Sequence, residues 1–254
     1  MDESILEAVG RCDVPPTLRL YAWHPACLSL GYAQPVSDVD HEKLSARGWE
    51  IVRRITGGRA ILHTDELTYS VIGSYSEPRL AGSVLESYCC ISQALLAGLQ
   101  LMKLPAQALP RPQSSPVSGG QPEPICFESP SNYEITVNGR KLIGSAQSRK
   151  KAGVLQHGTL PLRGDLTRIT QALAFPDEAS RSQAAEGLLA RATTVESVLG
   201  GRVSWAEAAS AFVTAFSQTL NLTLEPAKLT PAELARADEL VKDKYAHPSW
   251  TERI

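Results

Sequence analysis

Apolar residues alternate in some stretches of this chain and recur every third or fourth position in others, and the two spacings predict different elements. Residues 2 to 10 read as a short helix. Leu18 to Leu30 reads as strand, turn and strand around Pro25. Glu50 to Arg54 predicts a strand. A glycine turn, Ile55-Thr56-Gly57-Gly58-Arg59, joins it to two more strand-like runs, Ala60 to His63 and Leu67 to Ile72. From Ser83 to Leu101 the apolar positions Val84, Tyr88, Ile91, Leu95 and Leu99 have the spacing of an amphipathic helix, with Pro105 marking its end.

Residues 103 to 124 carry Pro105, Pro110, Pro112, Pro116, Pro122 and Pro124 with Gly119-Gly120, a composition that predicts no regular element. A loop of that length in a compact domain is a functional lid or a disordered connection. Tyr133 to Val137 then alternates as a strand, Asn138-Gly139 is a strong hairpin signal, and Lys141 to Ser145 returns as the partner. A two-residue turn places Lys141 opposite Thr136, on the face away from Tyr133, Ile135 and Val137. Val154 to Leu160, carrying His157, predicts a third strand after a Lys150-Lys151-Ala152-Gly153 turn. The last ninety or so residues read as helical. Ser204 with Glu207, and Thr230-Pro231-Ala232-Glu233, open helices as capping boxes, and His247-Pro248 closes the second.

Composition narrows the function classes. The chain has 254 residues, 43% of them hydrophobic and 20% charged, with a net charge of -2. It can bury a substantial core, and neither disorder nor a surface committed to nucleic acid is indicated. The arrangement expected is one catalytic domain over residues 1–200, containing the proline-rich loop at 103–124, and a helical C-terminal part of the same domain over 201–254. The start of the chain is acidic and half polar, and no apolar run of transmembrane length is expected, which predicts a soluble cytoplasmic protein. Cys12, Cys27, Cys89, Cys90 and Cys126 are irregularly spaced, without C-x-x-C or a Cys/His cluster. Neither a disulfide framework nor a metal site is expected.

Cys126, at the exit of the proline-rich loop, and Lys141 are the candidate nucleophile and its charge partner. A thiol carries an acyl group well when it is reachable and a neighbouring ammonium favours the thiolate. Gly57-Gly58, flanked by Arg53, Arg54 and Arg59, suits a carboxylate, a phosphate or a thioester carbonyl, and equally an ordinary turn. It is neither G-x-G-x-x-G nor a Walker loop. His63 and His157 read as bases, ligands or structural residues.

The order of these segments is more informative than any one of them. Arg53 to His63, then Asn138 to Gln147, then Gln156-His157-Gly158-Thr159-Leu160 resemble the signature segments of the lipoate-protein ligase and octanoyltransferase family. Cys126-Phe127-Glu128-Ser129-Pro130 resembles its cysteine-dependent branch, which modifies the glycine cleavage H protein. The resemblance implies an α+β fold of the biotin/lipoate-ligase type, a central mixed sheet flanked by helices with a helical C-terminal part. It implies octanoyl transfer in lipoate biosynthesis, from octanoyl-acyl carrier protein through a Cys126 thioester to a lysine of a lipoyl-domain protein, with no cofactor. Lys141 would hold the acyl carbonyl oxygen. Arg53, Arg54, Thr56, Gly57, Gly58, Arg59, His63, Gly144, Ser145, Ala146, His157 and Gly158 would line the substrate site, with His157 as candidate base for the acceptor amine. The alternatives are an ATP- and Mg-dependent lipoate ligase, an amidotransferase between lipoyl domains, and a binding subunit without turnover. Arg149, Lys150 and Lys151 are candidates for docking acidic partners.

Overall fold

The structure, a computed structural model, describes residues 1–110 and 133–254; Cys126 and residues 111–124 of the proline-rich stretch lie outside the described residues. The strands are β1 (Thr17–Tyr21), β2 (Cys27–Leu30), β3 (Glu50–Arg53), β4 (Ile61–His63), β5 (Glu66–Gly73), β6 (Gln107–Pro110), β7 (Tyr133–Val137), β8 (Arg140–Lys150) and β9 (Gly153–Pro161). The helices are α1 (Asp2–Gly10), α2 (His41–Ala46), α3 (Val84–Leu101), α4 (Glu178–Arg191), α5 (Val195–Leu199), α6 (Trp205–Leu220), α7 (Pro231–Leu240) and α8 (Pro248–Thr251). A π-helical turn at Val241–Tyr245 extends α7.

A six-stranded sheet runs in the order β1-β5-β9-β8-β7-β6 and a three-stranded one in the order β3-β2-β4. Every pairing in the large sheet is antiparallel. The α+β class holds, and the mixed pairing sits in the small sheet, where β2 runs parallel to β3 and antiparallel to β4. Tight turns join β7, β8 and β9 and force antiparallel neighbours, whereas the connection through α2 is long enough to return β3 parallel to β2. The strand, turn and strand expected around Pro25 form as β1 and β2, which belong to different sheets.

The hairpin at Asn138-Gly139 forms as its sequence predicts. Both residues have positive φ, 51° and 76°, as a type I′ turn requires, and Lys141 faces Thr136. One feature of the pairing is not visible in the pattern: between the pairs Thr136–Lys141 and Ile135–Ile143 the register shifts by a residue. Because of this bulge the consecutive Leu142 and Ile143 both enter the core.

That core lies between the large sheet and α3 with α6. Gly98 lets the two helices approach, since a Cβ there would stand 2.3 Å from Phe212 Cδ1. Ser83 and Glu86 close a capping box at the start of α3, as Ser204 with Glu207 and Thr230 with Glu233 do for α6 and α7. Against expectation, α3 reaches the length and apolarity of a membrane span. Its face of Ile91, Ala94, Leu95 and Leu99 is nevertheless buried in the core, which accounts for the apolar composition. The proline-rich stretch also holds more order than its composition predicts: β6 pairs with β7 from Gln107 to Pro110. Four residues without proline precede Pro110, and Pro110 ends an edge strand, where a missing N–H is tolerated.

Candidate active site

A cavity of about 510 Å³ opens between the two sheets and the N-terminal end of α1, a size typical of small-molecule sites. Its apolar side is built by Ile51, Val52, Ile55, Ile61 and Leu155, and its polar side by Asp2, Arg19, Arg54, His63, Ser145 and His157. Gly144, Ala146 and Gly158 complete the wall along β8 and β9. Gly158 has no room for a side chain: a Cβ would meet Gly144 O at 2.5 Å and Ser145 Oγ at 2.7 Å. Ser145 in turn shares a hydrogen bond of 2.7 Å with the buried Tyr69 hydroxyl, whose pKa burial pushes up to about 12.

The glycine turn after β3 is shaped by Arg54. Its guanidinium donates to Ser29 O at 2.8 Å, to Gly57 O at 2.9 Å and to Arg59 O at 2.8 Å. Gly58 takes φ 92°, and its carbonyl passes so close to Gly31 that a side chain at Gly31 would collide with it. Arg53, one residue earlier, points elsewhere. It donates to Gly31 O at 2.8 Å, Gln34 O at 2.6 Å and Thr251 O at 2.7 Å, while Trp250 Nε1 returns a bond of 2.9 Å to Arg53 O. Successive strand residues face opposite sides, so one arginine organises the cavity's loop and the other fastens the C-terminal segment.

Of the three histidines on the cavity wall, His63 and His157 each stand beside a carboxylate. His157 shares a hydrogen bond of 2.7 Å through Nε2 with Thr56 Oγ1, and its Nδ1 lies 3.7 Å from Asp2 Oδ2. Asp2 also accepts from Arg19 at 2.7 Å, Tyr21 at 3.1 Å and Ser70 at 3.2 Å. Burial works against the Asp2 carboxylate, but His157 and Arg19 outweigh it and hold its pKa well below the usual range. Burial lowers the pKa of His157, with the Asp2 hydrogen bond opposing it. On β4 and β5, His63 Nδ1 is 2.6 Å from Glu66 Oε1 with both side chains buried. Burial would raise the Glu66 pKa, but the charge and hydrogen bond of His63 bring it below the usual value.

Lys141 is buried on β8, three residues before Gly144, and its Nζ is 3.3 Å from Glu134 Oε1 on β7. Cys27 is the cysteine on the cavity wall among the described residues. Burial, then the charge of Glu50, pushes its thiol up to about 12, which leaves it a poor nucleophile.

Residues 1–217 match the model of the lipoyl protein ligase A/B catalytic domain. The chain belongs to that family. Over its whole length it is 40% identical to the octanoyltransferase LipM of Brevibacillus brevis and 41% identical to that of Kyrpidia tusciae, covering 93% of each. It is thus an acyltransferase. A bipartite lipoate protein ligase from Thermoplasma acidophilum shares its fold at a TM-score of 0.79 and 24% identity, over 99% of this chain and 89% of that one. A lipoate-protein ligase A bound with ATP superposes at 0.76 and 24%, over 99% and 91%.

The lipoyl ligase A/B signature segments meet at the cavity, but not all their residues form its wall. Arg54, His63, Gly144, Ser145, Ala146, His157 and Gly158 do. Arg53 does not, because its donors are committed to carbonyls on the far side of β3. Thr56, Gly57, Gly58 and Arg59 stand behind it: Thr56 holds His157, and Gly57 and Arg59 offer carbonyls to Arg54. Lys141 lies beside the wall, farther along β8, and Cys126 lies outside the described residues. Asp2 and Arg19 on the wall, and Glu66 behind His63, are not among the residues the sequence motifs point to. The alternation of β1, with Arg19 and Tyr21 on one face, is the sequence signal for Arg19. Arg149, a docking candidate, donates instead to Gly82 O at 2.8 Å, Leu80 O at 3.0 Å and Ser87 Oγ at 2.9 Å.

Proposed function

We propose that this chain moves an octanoyl group from octanoyl-acyl carrier protein to a lysine of a lipoyl-domain protein, the glycine cleavage H protein, in the lipoate biosynthesis of the cytoplasm. The observation that carries the reading is the full-length relationship, at 40–41% identity, to octanoyltransferases. The cavity supports it chemically: an apolar side suits an eight-carbon chain, and a rim of histidine, arginine and serine suits a thioester. In this reading Cys126 attacks the donor thioester and carries the octanoyl group. Lys141 holds the acyl carbonyl oxygen while charge develops on it. Exchange between thioesters is nearly isoenergetic, so neither ATP nor metal is required.

The test is the intact mass of wild type and Cys126→Ser after incubation with octanoyl-acyl carrier protein, without ATP. An octanoyl adduct on wild type alone is expected. Acceptor modification that appears only with ATP and free acid would overturn the reading in favour of a ligase. Acceptor binding with no transfer from any donor would overturn it in favour of a binding subunit.

A further inference from the structure

His63 is held by a closed ring of side chains. Its Nδ1 meets Glu66 Oε1 at 2.6 Å, Thr68 Oγ1 donates to the same carboxylate, and Trp23 Nε1 donates to Thr68 Oγ1 at 3.0 Å. The Trp23 ring closes the circuit by stacking on the imidazole, 4.2 Å between centroids and 9° from parallel. An ionised Glu66 accepts only, so Nδ1 carries the proton and Nε2 presents its lone pair. Among the described residues nothing hydrogen-bonds to Nε2, and the residue lines the cavity. His157 differs, because Thr56 occupies its Nε2 and Asp2 faces its Nδ1.

We propose that His63, oriented by Glu66, is the catalytic base that takes the proton from the incoming acceptor amine, in place of His157. This rests on the octanoyl-transfer reading. The amine nitrogen attacks the thioester carbonyl, a C–N bond forms, and the C–S bond breaks with its electron pair leaving on sulfur. The proton lost by nitrogen goes to His63 Nε2 and from there to the thiolate; nothing is oxidised or reduced. The titratable groups around His63 are Glu66 at the start of β5, Cys27 across the β2–β4 pairing, Tyr21 on β1 near Glu66, and His157 on β9.

The experiment is single-turnover octanoyl transfer from octanoyl-acyl carrier protein to a lipoyl domain between about pH 5 and 9, with wild type, His63→Gln, Glu66→Gln and His157→Gln. H63Q is expected to lower kcat by about 10²- to 10³-fold and to abolish the acid limb of the profile, with little change in KM. E66Q is expected to lower the transfer rate by about 10-fold, because the proton on Nδ1 loses the carboxylate that fixes the tautomer. H157Q keeps the limb in place. Hydroxylamine, a weakly basic amine that needs no base, is expected to be acylated equally by H63Q and wild type once the enzyme-free rate is subtracted. An acid limb retained in H63Q and lost in H157Q overturns the assignment, as does an equal loss toward lysine and hydroxylamine. Should H63Q not fold, an E66Q variant that transfers at the wild-type rate overturns it. Wild type that transfers nothing overturns the octanoyl-transfer reading, and this inference with it.

Discussion

Lys141 Nζ and Glu134 Oε1 stand 3.3 Å apart across the β7–β8 hairpin, the lysine 4% exposed and the glutamate 24%. Thr136 and Glu134 alternate on one face of β7, and Lys141 pairs with Thr136, so the two-residue turn itself creates the diagonal ion pair. In the proposed reaction this fixes where the ammonium sits while charge develops on the acyl oxygen. Lys141→Met is expected to lower kcat about 10²- to 10³-fold with KM little changed, the scale of losing one oxyanion donor. Glu134→Gln keeps a hydrogen-bonding partner and falls between that variant and wild type. Single-turnover transfer checks both, and K141M retaining most of its rate would remove Lys141 from the chemistry.

His157 predicts how stability follows pH. Its pKa in the folded chain lies below the usual 6.5, chiefly through burial. Between those two values the unfolded chain binds more protons at this site than the folded one. Its contribution is therefore complete above about pH 6.5 and is lost as the pH falls. His157→Gln should flatten the decline in urea midpoint between about pH 7 and 5, relative to wild type. Parallel curves for the two proteins would assign that decline to other groups.

Local chemistry made much of this legible. Asn138-Gly139 dictates a type I′ turn, and with it the Lys141–Thr136 register. Ser83 with Glu86 marks the start of α3, while the glycine pair after β3 stands behind the cavity wall, where Gly57 O accepts from Arg54. Illegible were the relations between distant residues. Asp2 meets Arg19 and His157 only after α1 packs over β5 and β9. The bulge that inserts both Leu142 and Ile143 into the core has no signature in an alternating pattern. Arg149 reads as a surface cation in a basic run, yet its donors anchor the segment before α3. Residue type alone does not tell a docking charge from a structural one.

Charge reversal therefore separates the members of that run. Lys151 is exposed and Lys150 lies 5.4 Å from the Tyr32 ring, so Lys150→Glu with Lys151→Glu is expected to weaken the salt dependence of transfer without lowering thermal stability. Arg149→Glu should instead lower the melting temperature, because the carbonyls of Leu80 and Gly82 lose their donor. Salt titration of the transfer rate and thermal melts distinguish them, and an unchanged salt slope in the double variant removes these lysines from docking.

Cys27 offers a control on the nucleophile. It lies on the cavity wall, but burial holds its thiol near 12, far from the range in which a thiolate is available at neutral pH. Cys27→Ser is expected to keep the octanoyl adduct and at least about half of the transfer rate, since it replaces a packing residue rather than a carrier. Loss of the adduct in C27S, seen by intact mass, would move the nucleophile to β2.

Arg53 and Arg54 are neighbours with separable duties, and conservative substitution should pull them apart. Lysine at Arg53 brings its donors to a single nitrogen and cannot span Gly31, Gln34 and Thr251 together. Leaving buried carbonyls unsatisfied costs about 2–4 kcal/mol, and the C-terminal segment that Trp250 and Thr251 anchor should open first. Arg53→Lys is therefore expected to speed trypsin cleavage at Lys244 and to change Trp250 fluorescence. Arg54→Lys leaves that segment fastened but releases the carbonyls of Gly57 and Arg59, so its main effect should be slower transfer through a displaced glycine turn. If both variants lose transfer and C-terminal protection together, the two arginines form one structural unit and the division of duties fails.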